Sequence, residues 1–171
     1  MEVPANAPPW MQWAWNEIGV EEDEGNTGPD IARYIQLGKC GTIGDPWCAI
    51  FANAALESSN IPGTRSPSSQ SFRHDDDFVQ LGGPAFGAIA VFWRTSRQSG
   101  LGHVGFYAGE RGRFVWTLGG NESDMVQIEM LGKSAATFGL IGYWWPKAVP
   151  QPPVAPILVS ADVPATQVSV T

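Results

Sequence analysis

Covalent chemistry in this chain falls to one thiol and one imidazole. Cys48 lies in Gly44-Asp45-Pro46-Trp47-Cys48-Ala49-Ile50-Phe51-Ala52, and His103 in Gly100-Leu101-Gly102-His103-Val104-Gly105-Phe106. A thiolate attacks carbonyls, and it forms most readily where positive charge or unpaired N–H groups face the sulfur. The stretch around Cys48 reads as a loop turning into a helix. Asp45 suits the N-cap, because its carboxylate accepts orphan N–H groups of the first turn. Pro46 suits the next position, where a missing N–H costs nothing. Cys48 then becomes the third helical residue, near the positive end of the macrodipole. That dipole is not enough. Lowering a thiol pKa from roughly 8.5 by about two and a half units takes ~3.4 kcal/mol, and a helix terminus supplies about 0.3–1 kcal/mol. An imidazolium paired with the sulfur must do the rest. His103 opens an alternating strand after two glycines, a rim position that leaves the ring accessible.

The base must itself be oriented by a third group. The next strand leads into Leu118-Gly119-Gly120-Asn121-Glu122-Ser123, offering an amide oxygen at Asn121 and a carboxylate at Glu122. Register decides between them. A two-residue turn at Glu110-Arg111 pairs His103 with Leu118 and places Glu122 on its face. A one-residue bulge, at the turn or at Gly119-Gly120, places Asn121 there instead. Glycines beside the site favour a bulge, so Asn121 is the expected third member and Glu122 the alternative. The backbone N–H of Cys48 would line an oxyanion hole, with a second donor that the sequence does not identify. Trp47 is placed to wall the groove.

Other reactive side chains carry weaker signals. Cys40, between Lys39 and Gly41, reads as structural. His74, among Arg73, Asp75, Asp76 and Asp77, reads as a surface histidine. Glu21-Glu22-Asp23-Glu24 lacks the alternating calcium-ligand pattern and reads as a solvated acidic turn. The cysteines and histidines have no zinc spacing, so no metal or other cofactor is expected.

The elements that must hold these groups are legible in outline. Trp10 to Val20 reads as a helix, with Met11, Ala14, Trp15 and Ile18 on one face. A second short helix follows Asn26-Thr27-Gly28-Pro29-Asp30, and a third, Pro46 to about Ser59, is apolar nearly all round and should be central and buried. Thr64 to Gly83 is polar. Strands are expected at 86–93, 102–108, 113–118, 125–130 and 140–145. Helices followed by an antiparallel sheet of about five strands is the α+β class. Residues 1–9 form a lead-in, 10–147 the domain, and 148–171 a Pro-rich tail that should stay extended and flexible unless it docks on a partner, with Ile157-Leu158-Val159-Ser160 as a potential edge strand.

At 171 residues one domain is expected, with eight tryptophans available for a core or a ligand groove. The formal charge of −7 argues against nucleic acid as a partner. No apolar run reaches the ~18 residues of a membrane span. Met1-Glu2-Val3-Pro4 shows no basic and apolar leader, so cytoplasmic synthesis without a signal peptide is expected, and a Cys40–Cys48 disulfide is not.

The order Cys48, His103, Asn121 resembles the papain-like cysteine hydrolases, and the details are similar to their CHAP and NlpC/P60 branch. The resemblance rests on Pro46-Trp47-Cys48-Ala49, Phe86-Gly87-Ala88-Ile89-Ala90-Val91-Phe92, Gly102-His103-Val104-Gly105-Phe106 and Gly119-Gly120-Asn121, with Pro9-Trp10-Met11 as in a bacterial and phage subgroup. It covers roughly residues 8–147. It implies a papain-like fold and hydrolysis of peptidoglycan amide bonds, in the stem peptide or between muramic acid and L-alanine, by a monomer acting on the cell wall after release or secretion. Many NlpC/P60 members carry a second histidine where Asn121 stands, and CHAP members often use a glutamate. The rival readings are a non-catalytic peptide- or glycan-binding module with a tryptophan-lined groove, and an acyltransferase on the same fold.

Overall fold

The structure, a computed structural model, describes residues 3–159; Met1, Glu2 and residues 160–171 lie outside it. The described elements are α1 Pro9–Asn16, α2 Pro29–Gly38, α3 Cys48–Ser58, β1 Phe78–Leu81, β2 Ile89–Arg94, β3 Gly102–Arg111, β4 Phe114–Glu122, β5 Met125–Gly132 and β6 Phe138–Pro146, with a 3-10 turn at Ser71–Arg73. The chain is thus α+β, with helices first and a six-stranded antiparallel sheet in the order β1-β6-β2-β3-β4-β5.

Helix α3 is the centre of the packing, since every residue from Cys48 to Leu56 is buried. Full burial of a side chain such as Ile50 or Phe51 is worth about 1.5–3 kcal/mol in transfer terms. Helix α2 approaches α3 at Gly38, where a Cβ would lie 2.8 Å from the carbonyl oxygen of Ile50. On the sheet side the close approach is Gly120 of β4, where a Cβ would sit 2.4 Å from the Trp47 ring and 2.6 Å from the Phe51 Cβ. Two glycines therefore set how near the Cys48 helix comes to its neighbours. Asn53, fully buried, binds the loop after the helix: its amide donates to the carbonyl oxygens of Ala49 and Ser66, and its oxygen accepts the Arg65 N–H.

Three expectations need correction. Helix α1 stops at Asn16 rather than running to Val20. Gly19 there takes φ +94 and donates its N–H to the Val126 carbonyl, so Ile18 is left 40 % exposed. The polar stretch 64–83 contains a strand, β1, whose Phe78 and Leu81 are buried and which pairs with β6 from Phe78↔Pro146 to Leu81↔Tyr143. Four residues with two apolar ends are too short to show a period. Finally, the described part of the tail is docked. The Ala155 N–H donates to the Pro84 carbonyl, the Ile157 N–H to the Tyr107 hydroxyl, and Leu158 forms a parallel bridge to Glu110. Ser160 and the rest of the tail lie outside the described residues.

Candidate active site

Cys48 is the first residue of α3, not the third. Asp45 does not cap the helix. Its carboxylate instead accepts the Thr42 N–H at 2.8 Å and the Thr42 hydroxyl at 3.1 Å, closing the loop before it. Trp47 takes the capping position without a side-chain bond to the helix, and the first helical hydrogen bond runs from the Phe51 N–H to its carbonyl. The Cys48 N–H is therefore one of the orphan donors of the first turn. The Trp47 indole is held by a hydrogen bond to Glu22, whose other oxygen accepts the Asn26 N–H at 2.9 Å. The acidic turn thus includes a carboxylate that fixes the residue before the thiol, a role its sequence did not announce.

The sulfur of Cys48 accepts the backbone N–H groups of Val104 and Ala49 and hydrogen-bonds the His103 ring. His103 Nε2 lies 3.0 Å from Glu122 Oε1, which leaves Nδ1 for the thiol. The Thr117 hydroxyl donates to the same carboxylate oxygen at 3.1 Å. Glu122 is 1 % exposed, and its Oε2 is buried with no partner among the described residues. The structure therefore brings together Cys48, His103 and Glu122.

Asn121, the expected orienter, is not part of this chain of contacts. Its amide nitrogen points to the Asn26 side-chain oxygen at 3.3 Å. The reason is two successive irregularities in the strands. The β3–β4 turn is at Gly112-Arg113, and a register shift between Tyr107 and Gly109 leaves Tyr107 opposite Thr117 and Phe106 opposite Leu118. Continued to the strand start, that ladder sets His103 against Asn121. But Asn121 adopts φ +56, and the β4–β5 pairing breaks between Gly119 and Glu122. The inserted residue rotates Glu122 onto the face that Thr117 and His103 share. Room for it comes from two glycines on that face. A Cβ on Gly119 would meet Glu122 Oε1 at 2.5 Å, and one on Gly105 at 3.1 Å.

Electrostatics follow from burial and pairing. Burial alone would raise the Cys48 pKa, but the His103 hydrogen bond and charge, with the N–H groups of Val104 and Ala49, outweigh it and lower the thiol. Burial alone would lower His103. Cys48 and Glu122 outweigh it and raise the imidazole well above its ordinary range. Glu122 is raised by burial, and its pull from His103 offsets that only in part. Each partner thus favours the other's charged form, thiolate on Cys48 and imidazolium on His103. Cys40 is the contrast: burial, then the charge of Glu57, pushes its thiol up to about 11. Both cysteines are free thiols, and His74 is exposed at the end of the 3-10 turn.

A nucleophile bonded to a base, with the base oriented by a third group, is the arrangement of acyl transfer through a covalent thioester. The Cys48 N–H stands at the sulfur's own backbone, where a developing oxyanion would form. Thr117, Gly105 and Glu22 complete the setting; of these, only Gly105, two residues after the histidine in the same strand, could have been suspected from sequence. No family model matches this chain, and no curated protein or solved structure matches it.

Proposed function

We propose that the protein is a cysteine-dependent hydrolase of amide bonds in bacterial peptidoglycan, of the papain-like CHAP and NlpC/P60 type. The observation that carries this reading is the chain of hydrogen bonds Cys48–His103–Glu122, with the thiol at a helix start and the base on a strand. A glutamate in the third position fits the CHAP variant of the site. The Cys48 thiolate attacks the amide carbonyl, and the Cys48 N–H helps hold the oxyanion. The His103 imidazolium gives its proton to the departing nitrogen as the C–N bond breaks, leaving a thioester on Cys48. Neutral His103 then takes a proton from water, the hydroxide attacks the thioester, and the acid leaves as Cys48 returns to thiolate and His103 to imidazolium. The substrate is the stem peptide or the muramoyl–L-alanine bond, reached after release or secretion.

A binding module with a tryptophan-lined groove receives less support, because Trp10, Trp47 and Trp116 are fully buried in the core. The test is digestion of purified peptidoglycan by wild type and Cys48→Ala, followed by mass spectrometry of the products. New amine termini released by the wild type alone are the expected result, and their identity gives the bond. Equal release by both proteins would overturn the proposal.

A further inference from the structure

Two residues stand immediately before the reacting groups, Trp47 before Cys48 and Asn121 before Glu122. One lies at the start of α3 and the other in β4, yet both are tied to a single turn between α1 and α2. The Trp47 indole donates to Glu22, and the Asn121 amide donates to Asn26 Oδ1 at 3.3 Å. Glu22 and Asn26 are themselves joined, by the Asn26 N–H on Glu22 Oε1 at 2.9 Å. Asn26 also holds the loop that leads to Cys48. Its carbonyl accepts the Gly44 N–H at 3.1 Å, and its amide donates to the Gly44 carbonyl at 3.3 Å. All four polar groups of Asn26 are thus engaged, at a left-handed φ of +59 that asparagine tolerates better than most residues. The turn is anchored to the sheet as well, since the Glu22 N–H donates to the Asp124 carbonyl and Glu21 bridges Met125 at the start of β5.

What this circuit adds follows from what packing leaves open. Trp47 and Phe51 against Gly120 set how near α3 comes to β4, but apolar contact has no direction. Hydrogen bonds do have direction, and those of Asn26 reach both layers. We propose that Asn26 is a positioning residue, which aligns the Cys48 thiol with the His103–Glu122 pair by joining the loop before the helix to the bulge in β4. The assignment rests on the hydrolase reading above for its effect on turnover. The charged groups that act on the thiol and its base are His103 of β3 and Glu122 of β4, with Glu129 of β5 acting on Glu122, and Glu22 on the Trp47 indole. Asn26 is uncharged. Removing its side chain takes away none of these charges, so a change in their protonation reports a change in alignment.

Asn26→Gly is the first test, because glycine keeps the left-handed backbone and its two backbone bonds while deleting the two side-chain ones. The rate of Cys48 alkylation by iodoacetamide, read at that residue by mass spectrometry, is followed against pH. The Cys48 midpoint is expected to rise by about one pH unit, with kcat on a defined muropeptide falling about tenfold and KM unchanged. Asn121→Gly deletes the same bridge from the other side and should move the midpoint in the same direction. Adding it to Asn26→Gly should add nothing further. If Asn26→Gly does not fold, Asn121→Gly decides the question alone. A midpoint left in place in either folded variant, or shifts that add in the double variant, would overturn the assignment, since lost stability by itself does not move the midpoint. The parent reading fails separately. Cleavage of peptidoglycan with unmoved midpoints removes the positioning role and leaves the hydrolase. Moved midpoints in a protein whose wild type cleaves no peptidoglycan leave the positioning role and remove the hydrolase.

Discussion

Glu122 reaches His103 because Asn121 leaves the regular ladder, taking φ +56 and turning its own amide toward Asn26. The two adjacent residues therefore have separable duties, one conformational and one electrostatic. Glu122→Gln should lower kcat by about 10²-fold or more, the scale of a general-base partner. Asn121→Gly, which keeps the left-handed backbone freely available, should cost far less. Steady-state kinetics on one defined muropeptide checks the pair, and a larger loss for Asn121→Gly would reverse the assignment. The pH profile carries a further sign. Burial opposes charge on both Cys48 and His103, yet their mutual pairing lowers the first and raises the second. Activity should thus rise with pH as Cys48 loses its proton, hold, and fall as His103 loses its own. Because Glu122 is among the supports of the imidazolium, Glu122→Gln should narrow this window from both sides. Sequence could single out Cys48 and His103, the pair that the structure brings together, since each stands beside a local signal: a helix start for Cys48, flanking glycines for His103. It could not choose between Asn121 and Glu122, because two irregularities of opposite effect lie in the intervening strands, and each moves the answer by one residue.

At the scale of elements, the same limit appears at Asp45. An Asp-Pro pair before an apolar run reads as a cap and first turn, but the carboxylate is satisfied by Thr42, three residues earlier. Capping competes with local turns for one side chain, and the sequence does not say which wins. The C-terminal end of α3 is held differently. Glu57 binds Arg65, Lys39 and the Gly63 N–H at once. Burial works against its charge, but Arg65, Lys39 and Gly63 together hold the carboxyl down at about 2. A depressed carboxyl stabilises the fold above its unfolded pKa, roughly 4.3, and loses that contribution as pH falls through its folded value. Both cations are half exposed and screened by water, so Glu57→Gln should cost about 1–2 kcal/mol at neutral pH. Urea unfolding at pH 7, 4 and 2.5 should show that difference shrink on acidification. A constant difference would mean that packing, not charge, anchors the helix end.

Across the whole molecule, the segment that composition marked as tail closes over β3. Gly109 has no side chain where a Cβ would come 2.7 Å from Val159, and the Glu110 N–H and carbonyl bond Ile157 and Val159 in turn. Pro-rich composition removes donors and suggests freedom; it does not reveal that the few remaining N–H groups find partners on a strand far back in the chain. A chain ending at Pro153 should lose about 1–3 kcal/mol, from several backbone hydrogen bonds of modest net worth. Hydrogen exchange at the Glu110 amide should accelerate, while the rate of Cys48 alkylation stays unchanged. Slower alkylation would show that the strap also supports the dyad. The dyad itself has a consequence in time. Cys48 and His103 come from distant parts of the chain and meet only when α3 settles on the sheet through Gly120. Until then Cys48 is an ordinary thiol, about 8.5 in pKa and mostly protonated at neutral pH. The chain is thus chemically quiet while it is being made, and its reactivity switches on only once α3 and the sheet have packed together.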